Sequence, residues 1–185
     1  RGRPYRGVMH AVRVEAFTDG VIAILITIMV LDLPKPDGPE LGALVDDVPV
    51  LLTYLLSFLY LGICWNNHHH MFQASAHARG PVLWANLHLL FWLSLVPFTG
   101  DWMSESDFAS VPTAVYAINL LGAGGAYYVL QHLLVRAEGP GSPLSRALGR
   151  DVKGRASVAL YTAAIVGALV VSRWVAVTIF VMVAA

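Results

Sequence analysis

Of the chain's 185 residues, 57% are hydrophobic and 13% charged, and the net charge is zero. A soluble globular domain carries roughly a quarter charged residues, so a soluble fold is excluded and the chain reads as an integral membrane protein. A neutral balance offers no basic surface, and no nucleic-acid partner is expected.

A bilayer core of about 30 Å takes roughly 20 helical residues at about 1.5 Å each. On that measure six segments qualify, at approximately 14–33, 48–72, 82–103, 111–135, 155–172 and 174–185. The expected fold is therefore all-α, a single polytopic domain over 1–185 with six transmembrane helices. The last segment is short, since its twelve residues reach only about 18 Å.

The first span is the most informative. From Gly20 to Leu31 every residue but Thr27 is apolar or glycine, while Arg13, Glu15, Thr18 and Asp19 crowd its start. Steps of three and four return to one side of a helix, so Phe17, Gly20, Ile24, Thr27, Ile28 and Leu31 share a face. The span carries Asp19 and lacks a small-residue cleavage pattern, so it is expected to remain in the mature protein. Pro34, Pro36 and Pro39 end it.

The second span closes on Trp65-Asn66-Asn67-His68-His69-His70. Its Cys64 is the single cysteine, which excludes an intrachain disulfide and is expected to be a buried, inert thiol. The third span opens at Gly80-Pro81, carries Asn86 and His88, and contains Pro97. That proline should kink the helix and free a backbone carbonyl unless neighbours re-satisfy it. The fourth holds Gly122, Gly124, Gly125 and Ala126, a small-residue surface that another helix could approach closely. Gly139-Pro140-Gly141-Ser142-Pro143 separates it from the fifth.

Basic residues flank alternate ends. Arg1, Arg3, Arg6 and Arg13 precede the first span, Arg79 follows the second, and Arg136, Arg146, Arg150, Lys153 and Arg155 follow the fourth. Acidic residues follow the first and third spans, at Asp32, Asp37, Glu40, Asp46 and Asp47 and at Asp101, Glu105 and Asp107. The positive-inside rule then puts the N-terminus in the cytoplasm.

On that topology the Arg13/Thr18/Asp19 cluster, the histidine run and Asn86-His88 lie toward one side. A carboxylate at membrane depth is costly unless paired, so Asp19 is expected to accept from His, Asn or Trp on the second and third spans. Consecutive helical residues fan out by about 100°, so His68, His69 and His70 cannot all face one ion. A metal site would need a partner such as His88 or Asp19, and neither a metal nor a cofactor is expected. The spacing of Ile24, Ile28 and Leu31 fits packing within one subunit. Taken alone such a stripe usually packs so, but the spacing also fits a seam that meets its copies around an axis, where such side chains would form hydrophobic rings able to gate by dewetting.

The first span resembles the Arg-x-x-x-Phe-Ser-Asp-x-x-x-Ala-Ile-x-x-Thr signature of the transmembrane protein 175 family of potassium channels. Here the pattern reads Arg13, Phe17, Thr18, Asp19, Ala23, Ile24 and Thr27, with Thr18 in place of serine. Trp65-x-x-His68-His69 and Asn86-Leu-x-x-Leu90, leading to Pro97-Phe98, are similar to the family as well. The likeness covers roughly the first hundred residues.

That resemblance implies a potassium-permeable cation channel in a prokaryotic cell membrane. It would be a homotetramer in the lipid bilayer with a pore lined by the first helices. It makes Ile24 the narrowest ring, with Ile28 and Leu31 as further rings and Thr27 as a polar layer. Arg13, Phe17, Thr18, Asp19, Trp65, His68, His69 and Asn86 would form the network that braces the pore helix. No TVGYG-like stretch for a carbonyl filter occurs. The alternative reading is a proton- or metal-ion-coupled secondary transporter that uses Asp19 and the histidines. No nucleophile and base stand at a spacing that suggests an enzyme.

Overall fold

In a computed structural model, residues 9–75, 77–139, 142 and 144 are described. Helix α1 runs over Ala11–Leu31, about 31 Å at helical rise. It ends at Asp32, just ahead of the proline-rich loop, where proline's locked φ and missing N–H stop a helix. A single turn, α2 (Ala43–Asp46), precedes α3 (Val48–Gln73), which has a proline in its first turn.

The third span is two helices, α4 (Gly80–Ser94) and α5 (Val96–Glu105), and α6 covers Ser110–Glu138. Counting α4 and α5 as one, these are four helices long and apolar enough to cross a membrane, with mean hydropathy of 2.1, 1.9, 1.5 and 1.2 over their most apolar stretches. These helices overlap the segments 14–33, 48–72, 82–103 and 111–135, with ends within three residues of those bounds. The expected fifth and sixth spans, 155–172 and 174–185, lie outside the described residues.

Among the described residues the exception to helix is one antiparallel pair, β1 (Met9–His10) with β2 (His77–Ala78). It ties the chain just before α1 to the α3–α4 connection. The core runs between α4, α6 and the inner faces of α1 and α3, and Leu61, Phe72, Leu89, Leu93, Tyr116, Leu120, Leu130 and Leu134 are fully buried there.

The break between α4 and α5 follows from Pro97. Its nitrogen cannot donate to the Leu93 carbonyl and its ring would collide with that group, so the helix opens at Leu95. The opening separates the Trp92 carbonyl from the Val96 N–H, which a regular helix would pair. Buried Asn119 on α6 inserts its amide into the gap. Its Nδ2 donates to Trp92 O at 2.9 Å, and its Oδ1 accepts from Val96 N at 3.2 Å and from the Thr99 hydroxyl at 3.1 Å. The reverse amide orientation would set oxygen against the Trp92 carbonyl and nitrogen against the Val96 N–H.

The small-residue surface on α6 is partly filled from within the chain. A Cβ on Gly122 would lie 2.5 Å from the Trp92 ring, whereas Gly124 and Gly125 face open space. The indole therefore seats on the Gly122 backbone, a close approach that glycine alone permits.

Candidate functional site

Helix α1 has two unlike faces. Ala11, Val14, Glu15, Thr18, Ile22, Leu25 and Met29 are buried against the rest of the chain. On the other side Phe17 is 56% exposed, Ile24 57%, Ile28 43% and Leu31 80%, with Thr27 exposed between the isoleucines. Among the described residues, nothing from this chain covers that stripe. The Thr27 hydroxyl turns its hydrogen back to the helix, within 3.0 Å of Ala23 O and 2.9 Å of Ile24 O. Its lone pairs are left facing outward.

Polar contacts hold the buried face at one end. Asn86 on α4 donates from Nδ2 to Thr18 Oγ1 at 2.9 Å, and its Oδ1 lies 2.8 Å from His68 Nε2 on α3. Since the amide oxygen can only accept, His68 carries its proton on Nε2. One amide thus joins three helices. Thr18, His68 and Asn86 are all at most 2% exposed, where a satisfied hydrogen bond contributes about 1 kcal/mol and an orphaned group costs about 1–3 kcal/mol. The His68 ring stacks on Phe72, with centroids 4.3 Å apart, and its Nδ1 has no partner among the described residues.

Nearer the helix surface the Trp65 indole N–H donates to Asp19 Oδ1 at 2.9 Å. One turn on, His69 stacks against Trp65 with centroids 5.7 Å apart, and its Nδ1 lies 2.7 Å from Glu15 Oε1. That contact is out of line for a hydrogen bond. The other His69 nitrogen, Nε2, is 2.9 Å from Gln73 Nε2. The three consecutive histidines fan out, with His68 buried, His69 half-buried toward Glu15 and His70 exposed. His88 accepts from Trp92 Nε1 at 3.0 Å on its own helix instead of joining them.

Thr18, Asp19, Trp65, His68, His69 and Asn86 are therefore brought together. Arg13 and Phe17 are not, since both lie on the exposed face, and Arg13 has no ion pair among the described residues. Glu15, Gln73 and Asn119 enter the picture without having been singled out as site residues. The i, i+4 spacing of Glu15 with Asp19, and of Trp65, His69 and Gln73, was the available signal.

A family model described as endosomal/lysosomal potassium channel TMEM175 matches residues 13–97. A potassium channel from Chryseobacterium sp. is 48% identical over 149 residues, covering 80% of this chain and 78% of that protein. A second, from Streptomyces collinus, is 36% identical over 135 residues, covering 67% of this chain and 64% of its own length. The crystal structure of a lysosomal potassium-selective channel TMEM175 homolog from Chamaesiphon minutus superposes with a TM-score of 0.79 at 28% identity, covering 94% of each chain. Identity of that extent, over four-fifths of this sequence and most of its relative, means that the chain belongs to the TMEM175 family.

Proposed function

We propose that the chain is the subunit of a potassium-permeable cation channel, a homotetramer whose α1 helices surround the conduction path. The observation that carries this reading is the bare apolar stripe on α1, with one hydroxyl at its middle, opposite a face pinned by buried polar contacts. The potassium channels among its relatives add to it.

Four copies of α1 would bring Ile24, Ile28 and Leu31 into successive rings. At each ring a cation sheds water without receiving ligands in return, a barrier that the more weakly hydrated potassium crosses at lower cost than sodium. The outward lone pairs of Thr27 supply one polar layer between the rings. Thr18, Asp19, Trp65, His68, His69 and Asn86 act as the brace that fixes the rotation of α1, and so decides which side chains meet the axis. Arg13 and Phe17 sit at the cytoplasmic mouth, where Phe17 packs on a neighbouring copy. The expected spans 155–172 and 174–185 complete six helices per subunit.

Single-channel recording of the reconstituted protein tests this. Ile24→Asn replaces an apolar ring by one that can solvate the ion and is expected to raise conductance several-fold while lowering the preference for potassium over sodium. Unchanged conductance and selectivity would refute a constriction at Ile24.

A further inference from the structure

Glu15 and Asp19 stand one turn apart on α1, and His69 reaches them from α3. One ligand atom from each of the three lies within 4.8 Å of the others. Glu15 is only 8% exposed, yet its carboxylate accepts no hydrogen bond from any described residue and points at His69 Nδ1. Among the described residues neither carboxylate pairs with Lys or Arg. Two carboxylate groups and an imidazole thus converge at a partly desolvated seam, with no Lys or Arg beside them among the described residues.

From this we infer a binding site for a divalent first-row transition metal, with Glu15, Asp19 and His69 as ligands. One imidazole nitrogen and two carboxylate oxygens suit zinc and its neighbours. Magnesium favours oxygen ligands and keeps its waters, so it is poorly matched. A tetrahedral ion with bonds of about 2.0–2.1 Å holds its ligands about 3.4 Å apart, so the 2.7 Å contact between His69 and Glu15 would open and wider separations, all within 4.8 Å, would close, within reach of side-chain rotation.

Trp65 donates to one Asp19 oxygen and leaves the other free. Gln73 Nε2 now lies 2.9 Å from His69 Nε2; on binding an ion at Nδ1 the amide would turn over so that its oxygen accepts from Nε2–H, the usual outer contact of a metal-bound imidazole. The ion would join α1 to α3 at the end where the brace sits. This inference does not depend on what the channel conducts.

The test uses the full-length oligomer in detergent, tag removed and stripped with EDTA, titrated with zinc chloride in a calorimeter. One zinc per chain is expected, unaffected by millimolar magnesium, with affinity at least tenfold weaker in both Glu15→Gln and His69→Gln and unchanged in His70→Gln. Particle size by light scattering confirms that each variant is assembled. A readout free of variants is diethylpyrocarbonate labelling of the wild-type protein followed by mass spectrometry. Zinc should protect His69 and leave exposed His70 reactive. Absence of saturable binding to the assembled wild type, wild-type affinity in both Glu15→Gln and His69→Gln, or His69 labelled equally with and without zinc would each overturn the assignment.

Discussion

Replacing Asn119 by leucine should unlock the broken third span. Leucine keeps the branched heavy-atom skeleton of asparagine and offers no hydrogen-bonding group, so the substitution chiefly removes hydrogen bonds. The Trp92 carbonyl loses its 2.9 Å donor and the Val96 N–H its 3.2 Å acceptor. The Thr99 hydroxyl can turn its one hydrogen to Leu95 O at 2.9 Å instead and contributes little. The orphaned Val96 N–H costs about 1–3 kcal/mol, while the Trp92 carbonyl, which still accepts from the Leu95 N–H at 3.2 Å, loses one bond of about 1 kcal/mol, and interhelical hydrogen bonds in membranes fall at or below that range. We therefore expect a net loss of about 2–3 kcal/mol, read as a shift in the SDS titration midpoint of the protein in mixed micelles.

The decisive comparison is a double-mutant cycle with Pro97→Ala. Alanine restores the N–H at 97 and removes the ring, so Trp92 O and Val96 N–H can pair in a regular helix and Asn119 has no gap to fill. In that background Asn119→Leu should cost less than about 1 kcal/mol, a coupling of at least about 1 kcal/mol. Strictly additive effects would refute the claim that Asn119 serves the break.

Two further outcomes follow from named contacts. Asp19→Ala deprives the Trp65 indole of its carboxylate acceptor and should lower the yield of assembled oligomer by size-exclusion chromatography while leaving the potassium-to-sodium permeability ratio within about twofold. Hydrogen bonds to charged groups contribute about 1.5–3 kcal/mol. Normal yield with altered selectivity would move Asp19 from the brace to the ion path. Gly122→Ala forces a methyl group into the Trp92 ring and should lower the thermal unfolding midpoint, at a cost of about 1–3 kcal/mol. Gly124→Ala meets open space and should be neutral or stabilising by up to about 1 kcal/mol; equal effects at the two positions would contradict the packing of α4 on α6.

Hydropathy and proline placement made the four described spans readable, because spanning length and the missing proline N–H are local properties. The break at Pro97 was legible for the same reason, but the residue that repairs it was not. Asn119 lies more than twenty residues along the chain, and its role depends on α6 reaching the gap. The faces of α1 show the same limit. Ile22, Leu25 and Met29 are as apolar as Ile24, Ile28 and Leu31, so periodicity could not say which set packs inward. Thr18 decides it in the structure, since Asn86 on α4 holds it and turns the first set toward the core. The pairing of Glu15 with His69 joins side chains 54 positions apart, and no local spacing announces it.

The claim on which the account turns is that the Ile24 face of α1 meets the ion path, and the single native cysteine makes it directly testable. In a Cys64→Ala background, Ile24→Cys is expected to render potassium currents sensitive to micromolar silver ions. Phe58→Cys, on the exposed side of α3, should leave them insensitive. Currents through Ile24→Cys channels that persist unchanged in silver would place that face against lipid and contradict the proposed pore.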